Sequence, residues 1–253
     1  MELQPIIKAK KNLSDKVKDS LITYIKQMDV QKNPKLPSEQ QLSSYLGVSR
    51  VTLRRALDDL EQSGIVIRIH GKGTFVNPEA TQIKLNMAES GELMQKIKLC
   101  GYDARVELVR KAEYPASKQL AEILQIEPGD TIMEIEKVFF ADQNPAIICI
   151  DRFPKNILNR PLDDAEYATT IFELLRKTAG KIIVRDKVEI MSMSKQQMEK
   201  YSHSADRMNC DSILALNCIN YDQDNVPVIY DSEFYNTDFI RFTLIRPKKL
   251  IYC

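Results

Sequence analysis

The sequence predicts an α+β fold in two domains, a small helical head that ends in a β-hairpin and a larger antiparallel α+β body. Short amphipathic helices fill the first quarter of the chain, a β-branched run with glycines follows them, and later segments alternate apolar strands with turns. The 253 residues give length enough for two ordinary domains. We place these domains at 1–76 and 85–253, with a linker at 77–84.

The first helix is predicted from four apolar residues that share one helix face: Val17, Leu21, Ile25 and Met28. Ser14 and Asp15 are candidate N-caps for this helix. A second helix is predicted after Ser38, which has Gln41 three residues later as its partner in a capping box. This helix is expected to end at Gly47 and to bury one stripe of side chains: Leu42, Tyr45 and Leu46.

The third helix is predicted to begin after the N-cap Ser49 and to bury four residues: Leu53, Ala56, Leu57 and Leu60. Near its start, Arg50, Thr52 and Arg54 offer guanidinium and hydroxyl donors. When such a helix enters the major groove, an Arg can bind guanine through two hydrogen bonds. An ordinary solvated helix face is the alternative interpretation of these residues.

The segment after Gly64 is predicted to form a β-hairpin. Residues 65–70 are a β-branched run, Gly71-Lys72-Gly73 forms a turn, and residues 74–76 return. His70 and Lys72 supply donors at the tip, and glycines let the backbone approach a groove or phosphates closely. A hairpin directly after two helices joined by a tight turn predicts a winged helix-turn-helix.

These motifs resemble the head of the GntR family of bacterial transcription regulators over residues 5–78: LPSE at 36–39, LGVSR at 46–50, TLR at 52–54 and GKGTFV at 71–76. The resemblance implies that the head binds double-stranded operator DNA. It places six residues at family contact positions, with Lys72 beside them: Ser49, Arg50, Thr52, Arg54, His70 and Gly71. The family usually has Arg where this chain has Gln40, which changes one phosphate or base contact.

The charge distribution suits a head that binds a polyanion. Residues 1–78 hold 13 Lys and Arg against 8 Asp and Glu, a net charge of +5, and the remaining 23 against 27 give −4. The five cysteines are scattered and only two histidines occur, so we expect no metal site, no cofactor and no catalytic residue. No segment resembles a membrane span or a secretory signal, and we expect a cytoplasmic protein.

The body is predicted to be an antiparallel α+β domain built from two similar halves. The first half is a strand, a turn with Asp-Gln and Pro, and a second strand: 131–141, 142–145 and 146–153. The same pattern returns in the second half: 213–221, 222–227 and 228–235. A helix capped by Ser117, a helix near 170–178 and a strand near 182–192 complete the prediction.

Residues 85–247 resemble the UTRA effector domain of the HutC subfamily, whose fold is like that of chorismate lyase. Relatives that sense sugar phosphates have Arg-x-Arg and Ser-x-Tyr where this chain has Lys137 and Phe139, then Thr170 and Phe172. The resemblance implies an effector pocket at these positions, and rings in place of donors favour a less anionic, more apolar effector. Two further matching positions complete the expected pocket: Glu233 and Tyr235. Plain core packing of the two Phe residues is the alternative interpretation.

Together the resemblances imply a homodimeric regulator, expected to be a repressor, that releases operator DNA when a small molecule binds in the body. The apolar edge strands of the body are the expected dimer surface. Two other classes stay open, a chorismate-lyase-like enzyme fused to a DNA-binding head and an architectural DNA binder. The sequence lacks a glycine-rich phosphate loop and a nucleophile with an evident base, which argues against the enzyme. An architectural binder would need only the head.

Overall fold

The computed structural model describes residues 13–79, 84–87, 90–167 and 169–245. It forms two compact units, which we call the head unit (the chain up to Ala88 together with the residues from Phe242 onward) and the body unit (Glu89–Arg241). These limits differ from the expected 1–76 and 85–253, because the chain after Arg241 groups with the head. Residues 80–83 of the expected linker lie outside the described residues.

The described part of the head unit consists of three helices and a hairpin: α1 Leu13–Gln27, α2 Glu39–Leu46, α3 Arg50–Gln62, β1 Val66–Ile69 and β2 Gly73–Val76. The two strands are antiparallel, with Val66 opposite Val76 and Ile69 opposite Gly73. All five elements contribute to one core, which contains the following buried residues: Val17, Leu21, Ile25, Leu42, Leu53, Ala56, Leu57, Leu60, Val66 and Val76. The predicted winged helix-turn-helix is confirmed.

The predicted caps that join α2 to α3 are confirmed. The Ser38 hydroxyl accepts from the Gln41 N–H at 3.3 Å, and the Gln41 side chain accepts from the Ser38 N–H at 2.9 Å. Gly47 adopts the left-handed conformation with φ 63°, which ends α2. Ser49 then caps α3 by accepting from the Thr52 N–H at 3.2 Å. Local hydrogen bonds therefore fix where the third helix begins.

Two expectations for the head helices are wrong. Ser14 and Asp15 lie inside α1 rather than capping it, and Asp15 places a negative charge in the first turn, where the helix dipole favours it. Tyr45 is 75% exposed instead of buried. The reason is that α2 contacts the core through a narrow stripe, which Leu42 and the half-buried Leu46 already occupy one turn apart.

The described chain end belongs to the head unit through backbone and side-chain contacts. Thr243 forms a parallel bridge with Asn86, supported by hydrogen bonds from the Thr243 N–H to the Leu85 carbonyl at 2.9 Å and from the Met87 N–H to the Thr243 carbonyl at 3.0 Å. Gly64, at φ 71°, lies so close to Ile245 that a Cβ there would collide with it.

The body unit is built on a six-stranded antiparallel sheet in the order β3-β4-β5-β8-β7-β6. Its strands in chain order are β3 Ala104–Pro115, β4 Thr131–Ala141, β5 Asn144–Pro154, β6 Ile183–Ser194, β7 Ser212–Asp222 and β8 Pro227–Asn236. Both predicted hairpins are confirmed, with Asp142 at φ 54° in one turn and Asn225 at φ 60° in the other. Strands β5 and β8 pair at the centre, so the two sequence halves form the two halves of the sheet.

The described helices of the body unit are α4 Leu93–Leu99, α5 Lys118–Leu124, α6 Asp164–Tyr167, α7 Ile171–Ala179 and α8 Lys195–Met198. Helix α7 packs Leu174 and Leu175 against the sheet face that carries Ile135. Helix α8 places Met198 against the opposite face, beside Ile150. Because helices cover both faces near the centre, β4 is buried over nearly its whole length.

Strand β6 forms one outer edge of the sheet and pairs only with β7 among the described strands. Three apolar side chains on it are 54%, 39% and 52% exposed: Val184, Val188 and Ile190. An exposed apolar edge strand offers both unpaired backbone groups and apolar surface to a partner. None of the helices in the described ranges is long and apolar enough to cross a membrane.

Candidate DNA-binding surface and effector cavity

The start of α3 carries the first group of predicted DNA contacts. Ser49 and Arg50 are exposed and Thr52 is half-buried. The Ser49 and Thr52 hydroxyls lie 2.9 Å apart and hydrogen-bond each other, so the cap also orients the Thr52 side chain. Arg50 occupies the first helical position, where its guanidinium can extend away from the core.

Arg54 lies one turn further along α3 and is paired with Glu39 of α2. Its Nε lies 2.7 Å from the Glu39 carboxylate, and the two side chains are 62% and 30% exposed. An exposed pair of this kind contributes ~0–1 kcal/mol, so DNA phosphate or a base edge can compete for the guanidinium. The predicted contact Gln40 is exposed next to Glu39.

The hairpin tip, which we call the wing tip, carries the second group of predicted contacts, His70, Gly71 and Lys72, and all three are exposed. Gly71 has φ 73°, a conformation that a residue with a Cβ rarely adopts, so the tight turn depends on glycine. Arg68 of β1 forms an ion pair of 2.6 Å with Asp58 on α3. This ion pair connects the wing to helix α3.

The wing tip and the start of α2 line one open groove of ≈ 1280 Å³, which we call the wing groove. Two of its residues were missed by the sequence analysis, the exposed cation Lys35 and the exposed Tyr45. Lys35 directly precedes the LP pair of the α2 start, and its Nζ lies 5.8 Å from the centroid of the Phe75 ring. The predicted contacts on α3 do not line this groove.

The body unit contains a small cavity of ≈ 40 Å³, which we call the inner cavity. Five of the six residues predicted for the effector pocket line it: Lys137, Phe139, Thr170, Phe172 and Glu233. Strands β4, β5 and β8 supply one wall, and the start of α7 and residues 91–93 supply the other. Lys137 of β4 lies opposite Cys149 of β5, and Cys149 lies opposite Glu233 of β8. The sheet register therefore places these three side chains next to one another.

Tyr235, the sixth predicted residue, does not line the inner cavity. It is fully buried behind Glu233, to which its hydroxyl donates a hydrogen bond. The ammonium of Lys96 on α4 donates to the same hydroxyl at 3.0 Å and lies 3.7 Å from the Glu233 carboxylate. Tyr235 therefore positions Glu233, and Lys96 is a functional candidate that the sequence analysis missed.

Lys137 is buried and already engaged. Its Nζ donates to the Thr169 carbonyl at 2.6 Å and lies 3.9 Å from the Asp151 carboxylate, with the side chain 2% exposed. The Lys137 charge is therefore matched by Asp151 within the body unit.

The inner cavity is also lined by acidic residues that the sequence analysis missed: Glu92, Asp151 and Asp231. Burial raises the pKa of Glu92, although the Thr170 hydroxyl opposes this through a hydrogen bond. Burial raises the pKa of Asp151, opposed by Lys137. Burial, with repulsion from Glu233 and Asp151, raises the pKa of Asp231 well above its usual range. The acidic lining thus makes the cavity an unfavourable place for more negative charge.

A wider groove of ≈ 490 Å³ adjoins the inner cavity, and we call it the outer groove. Gly91, Glu92 and Phe172 line both spaces. The outer groove continues along Arg176 of α7 and over the first residues of β6, 183–186. Its volume lies in the range of ~300–1,000 Å³ typical of small-molecule sites, whereas the inner cavity is far smaller.

Possible metal ligands also meet at the inner cavity. The Cys149 sulfur and one carboxylate oxygen each of Asp231 and Glu233 all lie within 4.8 Å of one another. Burial, the largest cause, raises the pKa of the Cys149 thiol well above its usual range.

Comparison with known protein families gives two matches. Residues 13–76 match the model described as bacterial regulatory proteins, gntR family. Residues 100–241, more than half of the chain, match the UTRA domain model. The two matched ranges correspond to the head with its wing and to the body that encloses the inner cavity.

Several regulators are similar to the chain over most of its length. YurK of Bacillus subtilis, an uncharacterized HTH-type transcriptional regulator, is 24% identical over 84% of this chain and 86% of its own. MngR of Escherichia coli, the mannosyl-D-glycerate transport/metabolism system repressor, is 25% identical over 94% of this chain and 98% of its own. The structure of YydK of Bacillus subtilis, a possible transcriptional regulator, covers 93% of this chain and 99% of that one with a TM-score of 0.68 at 17% identity, which shows a common fold.

Proposed function

The chain belongs to the GntR family of bacterial regulatory proteins and carries a UTRA domain, and we propose that it is a cytoplasmic homodimeric repressor that releases operator DNA when a small molecule enters the inner cavity and outer groove. The combination of domains makes it a ligand-responsive, DNA-binding transcription regulator. The name of MngR as a repressor supports repression here. The observation that carries the proposal is the convergence of five predicted effector residues on one cavity, in a unit separate from the DNA-binding head.

In the proposed operator complex the residues at the start of α3 and those at the wing tip have different roles. Arg50 reads a base edge in the major groove, while the Ser49 and Thr52 hydroxyls and Arg54 hold the helix against bases and phosphates. His70, Gly71 and Lys72 at the wing tip bind backbone or a groove wall. Gln40 contributes an uncharged contact at the start of α2, next to Glu39.

The proposed dimer forms through β6. Its outer edge exposes apolar side chains over much of its length, and a single small head offers too little contact for high operator specificity. Two heads on two half-sites multiply the specificity of one. The same strand also lines the outer groove through residues 183–186. A ligand in that groove therefore touches the proposed dimer edge, which gives a route from effector binding to dimer geometry.

The proposed effector is less anionic than a sugar phosphate. Phe139 and Phe172 replace two phosphate-binding donors, and the remaining cation, Lys137, is already held by Asp151 and the Thr169 carbonyl. A phosphate brought to this cavity would lie beside four carboxyl groups: Glu92, Asp151, Asp231 and Glu233. The acidic lining therefore strengthens an expectation that first rested on the two rings.

Regulation accounts for both units of the protein. An enzyme related to chorismate lyase would use the body and leave the DNA-binding head unexplained, and the family and its similar proteins are regulators. An architectural DNA binder would leave the lined cavity of the body unexplained. We therefore propose that the cavity binds a ligand without chemical conversion.

Thermal melting with a metabolite panel, followed by operator gel shifts, tests the proposed function. We expect a member that raises the melting temperature by mass action also to release operator, whereas an architectural binder would gain no stability from any metabolite. Glucosamine 6-phosphate is the informative phosphorylated member, and we expect it to bind at least about tenfold more weakly than that ligand. Micromolar binding of glucosamine 6-phosphate that Lys137→Ala abolishes would show that the proposed chemistry of the cavity is wrong.

A further inference from the structure

The charges around the inner cavity are strongly unequal. Its lining contains four carboxyl groups and one ammonium group. Lys137 lies 3.9 Å from Asp151, and Lys96, just outside the lining, lies 3.7 Å from Glu233. Each of these two cations therefore has a carboxylate of its own. The remaining two acidic residues, Glu92 and Asp231, face the cavity with neutral groups as their hydrogen-bond partners.

Among the described residues, the direct hydrogen-bond partners of Glu92 and Asp231 are neutral, which marks where a cationic partner is missing. The Asn220 amide donates to the Asp231 carboxylate, and the Cys218 thiol also hydrogen-bonds it. The Thr170 hydroxyl hydrogen-bonds Glu92. Lys137 also acts on Glu92 through its charge, but its own direct contacts are with Asp151 and the Thr169 carbonyl. A buried carboxylate whose hydrogen-bond partners are neutral is less stabilised than one that contacts a cation. A ligand with a positive charge would give both carboxyl groups a charged partner.

Aromatic rings stand beside these carboxyl groups. Phe139 and Phe172 line the inner cavity, and Phe172 also lines the outer groove. An organic cation is attracted to the face of an aromatic ring as well as to carboxylates. The rings are an observation independent of the acidic residues, and both select the same class of ligand.

We propose that the effector carries an ammonium group, as a primary or alkylated amine, that enters the inner cavity between Asp231 and Glu92 and against the rings of Phe139 and Phe172. This inference rests on the proposed function, because it names the ligand class of the same cavity. The ammonium donates hydrogen bonds to the two carboxylates and makes charge-assisted contacts that a hydroxyl in the same place makes only weakly.

The sizes of the two spaces agree with this assignment. The inner cavity of ≈ 40 Å³ accepts one small head group and not a whole sugar ring. The outer groove of ≈ 490 Å³ accepts the body of the ligand. Its lining carries Arg176 and Arg185 beside Glu173 and Asp186, so it imposes no single sign of charge on that body. The amine is thus the part of the ligand that the protein selects by charge.

A divalent metal is the competing occupant of the acidic cluster, since Cys149, Asp231 and Glu233 converge there. Two observations favour the amine. Tyr235 and Lys96 already contact the Glu233 carboxylate, which leaves it less free to coordinate a metal. A metal also gives no reason for two Phe rings in the lining.

Matched pairs of amines and alcohols test the proposal on the full-length protein. Calorimetry compares butylamine with butanol and glucosamine with glucose, and zinc is titrated separately. We expect at least one amine to bind about tenfold or more tightly than the alcohol of the same skeleton. Asp231→Asn should lose this preference. The exposed Asp211→Asn removes the same charge elsewhere in the body unit and should keep it.

Melting curves of the Asp231→Asn protein test whether the variant is folded. Because Asn keeps the polar contact with Asn220 and removes a buried carboxyl group, we expect Asp231→Asn to melt at or above the temperature of the unchanged protein. The proposal is overturned if the alcohols bind as tightly as the amines, if no amine binds at millimolar concentration, or if zinc binds and Asp231→Asn abolishes its binding. If a neutral metabolite binds the cavity and releases operator, the proposed function stands and only the amine assignment fails.

Discussion

Arg50→Ala is expected to weaken operator binding by about 5- to 150-fold, which corresponds to the ~1–3 kcal/mol that a bidentate base contact contributes. The same change should relax specificity at one base pair of each half-site, because only that base edge loses its partner. The operator for this measurement is a duplex selected from a random library. Gel-shift titration of point-mutated duplexes then compares the unchanged protein with the variant.

Lys72→Ala and Lys16→Ala are the controls for the loss of one positive charge. Loss of Lys72 at the wing tip should weaken binding to all duplexes alike and reduce the salt dependence, because its proposed contact is with phosphate. Lys16 is exposed on α1, away from both groups of predicted contacts, and its loss should change little. Equal operator affinity of Arg50→Ala and the unchanged protein would show that α3 does not read the operator.

The double substitution Val188→Asp and Ile190→Asp is expected to convert the proposed dimer to a monomer. Both side chains are exposed on the outer strand β6, so charges there leave the core of the chain intact but repel across the proposed interface. Light scattering should report a mass near the 29.1 kDa of one chain. Operator affinity should fall by about a hundredfold or more, since each monomer reaches one half-site only.

Val109→Asp is the matched control for the edge substitution. Val109 is 37% exposed on β3, which forms the opposite edge of the same sheet. We expect this variant to remain a dimer and to bind operator normally. A monomeric mass of the unchanged protein at micromolar concentration, with no change on adding operator, would contradict the proposed dimer and the role of β6.

The fold of the head could be predicted because its signals are local. Ser38 with Gln41, Gly47 and Ser49 each act within four residues, and their hydrogen bonds appear as expected. Tyr45 was misplaced because burial on a short helix depends on what packs against it, which is a tertiary property. The final pairing of Thr243 with Asn86 joins residues far apart in sequence, and no local pattern indicates it.

The body was predicted less completely. The buried hairpins gave apolar runs bounded by turns, and both were found. Strand β3 was missed because it is an edge strand. Charged residues, such as Arg105, Glu107 and Arg110, lie between its apolar residues, so no long apolar run indicates a strand. Helix α4 was missed because it has seven residues and no side-chain cap bond.

The expected effector residues were identified by resemblance, because their positions could be matched to those of the UTRA domain. The sequence alone suggests that Asp151 and Asp231 face solvent, whereas the sheet pairs them directly with each other. Their sequence signal is an acidic residue within a strand that is largely apolar. Glu92 and Lys96 belong to the missed helix α4 and its start, so they had no predicted place at all.

Selection of bound duplexes from a random DNA library by the full-length protein, followed by sequencing, tests whether the protein is a dimeric operator-binding regulator. We expect a near-palindromic site with two half-sites whose centres lie about one helical turn, ~34–36 Å, or a multiple of it apart. With the Arg50→Ala protein, the same position should lose its base preference in both half-sites. Enrichment of no sequence, or of a single half-site without symmetry, would contradict a dimeric operator-binding regulator.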